Sequence, residues 1–394
     1  MRVAIVHDYI KEYGGAERVL ESLHNVFPKA PVYTLVYLPS YLGPHRSRFE
    51  NWDIRTSWAQ NLPFKAKLIS PLRLIAPYLF GQFDFSKFDV VIVSATGAYF
   101  PNSIKTRSTS SGREGNAIQI CYSHTPPRYL YGYETARNWK KNLMIRIIGE
   151  IAIHFLRMVD YKSAQNVDYF IANSEETKRR IEKFYRKDAI IIYPPVDVNP
   201  KFKTLNPKQA QITKYKIPNT EYYLAGGRIA RAKHTDLIIN TFIRNGLPLK
   251  VFGKGFAGFE EEIKQRIKNH ESRIKGKSNI EFLGEVTDEE KDELMMNAKA
   301  FVFASEDEDF GIVPVEAMMA GTPVIAHRSG GVLETVVEGK TGLFFDEFSV
   351  ESLNSAIKKF ERTKFDSSQI AKHAQKFSRP RFEKEIKEFV EKHA

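Results

Sequence analysis

Short apolar runs alternate with longer segments of helical periodicity along the whole chain. The N-terminal half has such runs at 2–7, 32–36, 89–94, 117–123, 167–172 and 190–193. The C-terminal half has them at 222–226, 249–252, 280–283, 300–304 and 323–326. Apolar runs of this length, bounded by turn residues and followed by helical patterns, are typical of strands in a doubly wound sheet. The pattern therefore predicts an α/β fold built from repeated strand and helix units.

Regular structure is interrupted near the middle of the chain by Pro194-Pro195-Val196-Asp197. We place a linker at about 194–205, because 394 residues are long for one hydrophobic core and suit two. The predicted domains are residues 1–197 and 198–377, followed by a last helix at 378–394.

Two segments of the N-terminal half differ from the strand and helix pattern. Residues 105–116, KTRSTSSGREGN, form a polar low-complexity loop to which we assign no structure. Residues 138–165 predict a long helix, and apolar positions nearly encircle it. We expect that helix to be mostly buried.

Composition places the chain among globular proteins, with 42% hydrophobic and 27% charged residues. The single cysteine, Cys121, excludes an internal disulfide and a cysteine-based zinc site, and it indicates a reducing compartment. The N-terminal apolar run is brief and predicts a strand, not a signal peptide. No apolar stretch approaches the roughly 18 residues of a membrane span, so we expect a soluble or peripheral protein of the cytoplasm.

Positive charge is concentrated in the N-terminal half. Residues 1–200 carry 27 Lys and Arg against 18 Asp and Glu, in a chain of net charge +12. Such a surplus suits nucleic acid, anionic lipid or an anionic substrate. We expect no nucleic-acid partner, because the sequence has no zinc pattern, helix-turn-helix signal or aromatic RNA-binding motif. Within 62–88, Lys65, Lys67 and Arg73 interleave with apolar residues, which fits either a surface resting on anionic lipid or a core-facing helix.

Two glutamates flank a predicted strand-to-helix turn within residues 303–346. Glu308 and Glu316 stand eight residues apart, which puts one carboxylate on the loop and the other about one turn into the helix. Both can then face one cleft. Gly311, Gly330 and Gly331 permit close backbone approach in the same block.

Cations and glycines follow other predicted strands. Arg228 and Lys233, five residues apart, can converge on one pyrophosphate. Gly253-Lys254-Gly255-Phe256-Ala257-Gly258 matches a dinucleotide-binding fingerprint, but it follows the wrong strand of its sheet, and we interpret it as a tight turn near a diphosphate. Gly14 and Gly15 turn from the first strand into a helix, where backbone N–H groups could reach a phosphate or sugar.

These blocks together resemble retaining glycosyltransferase family 4. The similarity rests on Glu308-Asp309-Phe310-Gly311-Ile312-Val313-Pro314-Val315-Glu316, on Gly321-Thr322-Pro323 and Gly330-Gly331, on Gly227-Arg228 with Lys233, and on His124-Thr125-Pro126-Pro127-Arg128-Tyr129. It implies the GT-B fold, with two Rossmann-like domains facing across a cleft. The N-terminal domain would bind the acceptor, the C-terminal domain the nucleotide sugar, and the last helix would pack back on the N-terminal domain. The chain departs from the family in its long 105–116 loop and at Asp309, where a glycine is common.

The resemblance also implies roles for individual residues. Glu308 would hold hydroxyls of the donor sugar, and Glu316 the nucleotide ribose. Arg228 and Lys233 would stabilise the leaving diphosphate, and His124 would contact the transferred sugar. The further donor-site residues implied are Phe310, Gly311, Ile312, Val286, Gly253 and Lys254. Gly14 and Gly15 would form the acceptor or phosphate loop.

The expected substrates follow from the same resemblance. The 124–129 segment and Gly14-Gly15-Ala16-Glu17 look most like mannosyltransferases of surface polysaccharide or O-antigen assembly, which makes GDP-mannose the first choice of donor and leaves UDP sugars open. The acceptor would be a glycan or a lipid-linked acceptor. From the charge of the N-terminal half and from residues 62–88, we expect the protein itself in the cytoplasm, either free or peripheral at the inner face of the cytoplasmic membrane.

Alternatives remain for the cofactor and for the reaction. Residues 306–309 offer oxygen ligands that magnesium accepts, but we expect no metal, because Arg228 and Lys233 supply the positive charge. A sugar-nucleotide 2-epimerase would share the architecture. An NAD enzyme would rest on the glycine motif at 253–258 alone.

Overall fold

The computed structural model divides the chain into two compact units. The first comprises Met1–Pro195 together with Arg379–Ala394, and the second Val196–Ser378. The structure describes residues 1–106, 117–133, 143–197, 222–256, 258–274 and 276–394, and of 143–148 and 274 only the backbone. Residues 107–116 of the predicted loop, 138–142 of the predicted helix, 198–205 of the predicted linker and position 257 of the glycine motif lie outside the described residues.

A parallel sheet forms the centre of the first unit. Its strands within the described residues are β1 Val3–His7, β2 Val32–Thr34, β3 Ile54–Thr56, β4 Val90–Ala95, β5 Ile118–Ser123, β6 Tyr169–Ala172 and β7 Ala189–Ile191. They are ordered β3-β2-β1-β4-β5-β6-β7, with parallel pairing throughout. The chain leaves β1 toward β2 on one side and continues through β4 on the other. The sheet therefore has a switch point between β1 and β4, where open α/β sheets bind ligands.

Helices cover both faces of this sheet. Those described are α1 Gly15–Val26, α2 Lys65–Leu68, α3 Ala76–Phe80, α4 Leu143–Gln165 and α5 Glu175–Tyr185, with short 3₁₀ turns at 39–41, 43–49, 58–61, 71–74 and 101–103. Alternate strand residues enter different cores. Ala4 and Val6 pack with residues of α3 and α4, whereas Val3 and Ile5 pack with residues of α1. This alternation explains why the strands are apolar without interruption.

Helix α4 is less buried than its sequence predicts. Ile153, Leu156 and Asp160 are buried, but Ile151 and Phe155 are exposed, at 56% and 58%. The prediction of a mostly buried helix is wrong for this outer face. A helix in the outer layer of a sheet covers its inner side only, and apolar residues on the other side stay in contact with water.

A second parallel sheet forms the centre of the second unit. Its described strands are β8 Tyr223–Gly226, β9 Leu249–Phe252, β10 Ile280–Gly284, β11 Phe301–Phe303, β12 Val324–His327 and β13 Gly342–Phe345. They are ordered β10-β9-β8-β11-β12-β13. The switch point of this sheet lies between β8 and β11. Both sheets thus confirm the predicted doubly wound α/β class.

The helices of the second unit follow its strands in turn. Those described are α6 Thr235–Asn245, α7 Phe259–Ile274, α8 Asp288–Met296, α9 Ile312–Met319, α10 Val332–Thr335, α11 Val350–Phe360 and α12 Ser367–Ala374, with 3₁₀ turns at 231–233 and 375–377. Leu237, Phe242, Leu353 and Ile357 pack against the strands in one core.

The last helix, α13 Arg379–His393, belongs to the first unit. Phe382, Ile386 and Val390 are fully buried there and share a core with α1. Arg379 donates to Glu21 of α1 at 3.1 Å, and Arg381 donates to the Tyr193 carbonyl. The chain therefore returns to its first unit after completing its second.

Candidate functional site

Glu308 lies at the switch point of the second sheet. It follows β11, and Lys233 follows the neighbouring strand β8. The Lys233 ammonium pairs with the Glu308 carboxylate, and the Ser305 hydroxyl donates to the same oxygen at 2.6 Å. The backbone joins the two loops as well, because the N–H of Glu306 donates to the Ala232 carbonyl at 3.1 Å. The structure thus brings together two of the residues predicted from sequence.

Gly330 and Gly331 hold the Glu308 loop in place. The N–H of Gly331 donates to the Glu308 carbonyl at 2.8 Å. A Cβ atom on Gly330 would overlap the Glu308 backbone, and one on Gly331 would overlap Phe310. The paired glycines are required by this close backbone approach.

The loop after β8 carries Arg228. The Arg228 residue is exposed, and its guanidinium lies 5.8 Å from the centre of the Phe256 ring. Gly227 lies beside Gly253, where a Cβ atom would overlap the Gly227 carbonyl. Gly253 therefore forms the tight turn inferred from the sequence. The neighbouring Lys254 forms an ion pair with the exposed Glu285, at 3.1 Å.

Glu316 is buried in α9 and has a cationic partner that the sequence did not indicate. Lys291 Nζ lies 2.8 Å from Glu316 Oε1 and 3.1 Å from Asp288 Oδ1. Both side chains of the Lys291–Glu316 pair are nearly buried, at 12% and 8% exposure. The lysine was missed because it lies on α8, another strand and helix unit, where its spacing from Glu316 carries no signal.

The other predicted donor-site residues are distributed around α9. Gly311 adopts a φ of +86° immediately before this helix. Phe310 is buried, and its ring centre lies 5.5 Å from that of Phe377. Ile312 and Val286 are half-buried, and Val286 lies in the loop between β10 and α8.

In the first unit, Gly14 does not present a free donor. Its N–H donates to the Glu17 carboxylate at 2.9 Å, which caps the start of α1, and Gly15 begins the helix. The helix thus caps itself with its own side chain, and a role of Gly14 and Gly15 in contacting a phosphate or sugar stays a prediction.

Polar residues end the strands beside the switch point of the first sheet. His124 follows β5, and its Nε2 lies 3.0 Å from the Ser94 hydroxyl of β4, which also lies 3.1 Å from His7 Nδ1. Burial and the neighbouring His7 lower the pKa of His124 to about 3, so its imidazole is neutral at neutral pH. The sequence indicated His124 but missed His7 and Ser94.

Asp8 is another residue at this switch point that the sequence analysis did not identify. It follows β1, is fully buried, and accepts hydrogen bonds from the Thr96 N–H at 2.7 Å and from the Thr96 hydroxyl. Burial raises the pKa of the Asp8 carboxyl. The signal available was positional, since a polar residue that ends an apolar strand at a switch point faces the ligand edge of the sheet.

Residues 62–88 contain both buried and exposed apolar side chains. Leu72, Leu79 and Phe80 are buried in the core, whereas Phe64, Leu74 and Tyr78 are exposed at 77%, 61% and 65%. No helix within the described residues is long and apolar enough to cross a membrane. The same part of the chain contains no cluster of three or more His, Cys, Asp and Glu able to hold a metal ion.

Two family models match nearly the whole chain. The model described as "Glycosyltransferase Family 4" matches residues 13–200, and the model described as "Glycosyl transferases group 1" matches residues 207–377.

Curated proteins of this family are similar to the chain at low sequence identity. The α-1,3/1,6-mannosyltransferase ALG2 of Dictyostelium discoideum is 26% identical over 290 residues, covering 66% of this chain and 64% of the relative. The mannosylfructose-phosphate synthase of Agrobacterium fabrum is 27% identical over 265 residues, covering 63% of this chain and 57% of the relative. The chain thus spans less than two thirds of the length of these relatives.

Solved structures share the fold. The Anabaena protein HepE in complex with UDP superposes with a TM-score of 0.66 at 16% identity, and the lipopolysaccharide outer core galactosyltransferase WaaB with 0.67 at 14%. Each comparison covers 100% of both chains. From the family models, the motifs and the two Rossmann-like sheets, the chain belongs to glycosyltransferase family 4 and has the two-domain α/β fold of the GT-B class.

Proposed function

We propose that this protein transfers a hexose from a nucleoside diphosphate sugar to a hydroxyl of a glycan acceptor, with retention of the anomeric configuration. The observation that carries the proposal is the Glu308 carboxylate, held by Lys233 and Ser305 at the switch point of the second sheet. Membership of family 4 and mannosyltransferase relatives support the same reaction class.

The donor diphosphate is assigned to the loop after β8. Arg228 and Lys233 stabilise the negative charge that develops when the bond between the sugar C1 and the phosphate oxygen breaks. The acceptor oxygen forms the new bond to C1, and its proton passes to the departing phosphate oxygen. Glu308 binds hydroxyls of the transferred sugar, and neutral His124 provides a further polar contact to that sugar.

The nucleoside is assigned to the surroundings of α9. Glu316 accepts hydrogen bonds from the ribose hydroxyls, and Lys291 balances its charge. The backbone at Phe310, Gly311 and Ile312 lies at the start of this helix. Further contacts are assigned to Val286, Gly253 and Lys254, and the acceptor is assigned to the loop at Gly14 and Gly15.

We propose GDP-mannose as the donor, and the names of two relatives support its sugar. The names of the Dictyostelium and Agrobacterium relatives both include mannosyl, whereas the Anabaena protein was solved in complex with UDP. A UDP sugar is therefore the alternative donor. We propose that no metal is required, because Arg228 and Lys233 provide the positive charge at the diphosphate.

Titration calorimetry with GDP, UDP and ADP tests the assignment. We expect selective GDP binding, weakened about tenfold or more by Glu316→Ala and by Arg228→Ala, since each removes a charge-assisted contact. Arg244→Ala is the matched control, because Arg244 is an exposed arginine of the same unit paired with Glu351 on α11. Selective UDP binding would replace GDP-mannose by a UDP sugar. Binding of none of the three would refute the donor site, and loss of binding on removing divalent cations with EDTA would refute metal independence.

Association with an anionic membrane surface is a separate proposal. Exposed Phe64, Leu74 and Tyr78 stand among Lys65, Lys67 and Arg73, which suits insertion at a headgroup layer. This surface would bring the enzyme to a lipid-linked acceptor at the inner face of the cytoplasmic membrane, in surface polysaccharide or O-antigen assembly.

Flotation with liposomes tests the membrane proposal. We expect flotation with anionic but not with neutral liposomes, and its loss in a Phe64→Ser/Tyr78→Ser variant. Tyr41→Ser is the matched control, because Tyr41 is also exposed but lies outside the segment. Flotation with neither type of liposome, or equal loss in the control, would contradict the proposal.

A further inference from the structure

A chain of polar contacts joins the start of α1 to His124. The Ser94 hydroxyl lies 3.1 Å from His7 Nδ1 and 3.0 Å from His124 Nε2. On the opposite edge of the His7 ring, Nε2 lies 3.9 Å from Glu17 Oε1. His7, Ser94 and Glu17 are all buried. Three side chains, those of Glu17, His7 and Ser94, thus connect the glycine-containing turn to the histidine assigned to the sugar.

In this series of contacts, the direction of each hydrogen bond depends on the direction of the adjacent one. A neutral imidazole has one N–H donor and one acceptor nitrogen, and a hydroxyl has a single hydrogen to donate. Ser94 can therefore donate to only one of its two histidines, whereas its oxygen can accept from either. When His7 Nδ1 accepts the Ser94 hydrogen, the contact between Ser94 and His124 requires the proton of His124 on Nε2.

Glu17 fixes the ring proton of His7. The Gly14 N–H donates to Glu17 Oε2 at 2.9 Å, and the other oxygen faces His7 Nε2. The 3.9 Å separation exceeds a hydrogen bond, but a carboxylate in a buried setting still favours an N–H on the ring edge that faces it. Among the described residues, His7 Nε2 has no hydrogen-bond partner. We therefore assign the ring proton of His7 to Nε2, the nitrogen that faces the Glu17 carboxylate.

We propose that Glu17 sets the tautomer of His124 through His7 and Ser94. With the proton of His7 on Nε2, its Nδ1 accepts the Ser94 O–H. The Ser94 oxygen then accepts the Nε2–H of His124, and His124 Nδ1 remains as a hydrogen-bond acceptor. Glu17, His7 and Ser94 are positioning residues, and Nδ1 is the atom that accepts a substrate hydroxyl. Only this last assignment rests on the proposed function.

We call the contacts from Glu17 through His7 and Ser94 to His124 the relay. Glu17→Gln tests the relay by reversing the direction of its hydrogen bonds. The Gly14 N–H needs an acceptor, so the amide oxygen occupies the Oε2 position and the NH₂ group faces His7 Nε2. That donor makes His7 Nε2 an acceptor and places its proton on Nδ1. Ser94 then donates to His124 Nε2, and the His124 proton moves to Nδ1. Long-range ¹H–¹⁵N correlation spectra of the histidine rings measure this shift directly in the substrate-free protein.

Two further variants establish the route. Ser94→Ala removes the link, so we expect Glu17→Gln to leave the His124 tautomer unchanged in that background. Glu21→Gln is the matched control, because Glu21 lies one turn further along α1 and contacts Tyr13, Arg48 and Arg379 instead. A His124 proton on Nδ1 in the unsubstituted protein, no shift in Glu17→Gln, or the same shift in Glu21→Gln would overturn the proposal.

Kinetics separate the relay from the reaction. We expect Glu17→Gln to lower kcat/KM for sugar transfer by about 10- to 100-fold, as one lost buried hydrogen bond does, and to leave the nucleotide Kd unchanged. A tautomer shift without a change in rate would confirm the relay and refute the contact between His124 and the sugar.

Discussion

The carboxylates assigned to the donor are paired with lysines. Glu308 pairs with Lys233, and Glu316 pairs with Lys291. Sequence spacing identified both glutamates and Lys233, because these residues belong to motifs. It did not identify Lys291 or Ser305, whose importance comes only from their contacts with those glutamates.

Lys291→Met is expected to destabilise the second unit by about 3 kcal/mol, because it leaves the buried Glu316 carboxylate without its cation. Lys291→Arg retains the charge and should lose less. In the Lys291→Met/Glu316→Gln double variant, removing the unpaired charge should recover most of the loss. Urea unfolding measures these free energies. Additive losses in the double variant would contradict a direct pair.

The stability of the first unit should depend on pH through Asp160. Burial raises the pKa of its carboxyl to about 7, while Tyr131 donates to it at 2.8 Å. An acid with a raised pKa in the folded state stabilises fully below its unfolded pKa, and the contribution is lost as pH rises toward 7. We expect Asp160→Asn to reduce the fall in unfolding free energy between about pH 4 and 7. The reduction is partial, because the raised pKa of Asp8 contributes a fall of the same sign. Exposed Asp188→Asn should keep the original profile.

At the scale of elements, the site depends on where strands end and helices begin. Each strand of a parallel sheet delivers a loop to the same edge, and tight glycine turns let neighbouring loops touch. Gly253 combines a φ of +127° with contact against the Gly227 carbonyl. The turn after β9 therefore supports the loop that carries Arg228.

Gly253→Ala should displace that loop. A Cβ atom there meets both an unfavourable φ and the Gly227 backbone, so we expect nucleotide affinity to fall and the free energy of unfolding to drop by more than the about 1–2 kcal/mol of φ strain alone. Gly258→Ala is the matched control, because its φ is also positive, at +78°, but no atom lies within 4 Å of the added Cβ. Calorimetry and urea unfolding compare the two. Equal effects would argue against the steric role of Gly253.

At the scale of the whole molecule, the first unit is assembled from both ends of the chain. Helix α13 adds Phe382, Ile386 and Val390 to the core formed with α1. The Tyr122 ring of β5 lies 5.6 Å from Phe382, edge to face. Residues that are last in the sequence therefore complete the unit that comes first.

Phe382→Ala should destabilise the first unit by about 3–5 kcal/mol, as expected for removing a fully buried aromatic ring. Hydrogen exchange should show lower protection in β1, β5 and α1, with the strands of the second unit unchanged. Lys384→Ala, on the exposed side of the same helix, provides the control. Loss of protection in β8 and β11 instead would contradict the assignment of α13 to the first unit.

Sequence pattern accounted for most of the fold. Continuous apolar runs placed the central strands of both sheets, because a strand buried on both faces has few polar positions. The edge strands β3 and β13 were not predicted, since Ile54–Thr56 is short and half-exposed and Gly342–Phe345 begins with glycine. The sequence also predicted the glutamates of the family motif, Arg228, Lys233 and His124 as site residues, because motif order and spacing are local properties.

Tertiary structure decided which side chains act together. The strand order of the first sheet makes β1, β4 and β5 neighbours, and so brings His7, Ser94 and His124 into one chain of contacts although 117 residues separate the two histidines. Tertiary packing likewise brings Lys291 to Glu316 in the second unit and Phe382 to α1 in the first. Local sequence fixes secondary structure through periodicity and turn chemistry. The contacts between distant residues follow from strand order and packing, which local periodicity does not encode.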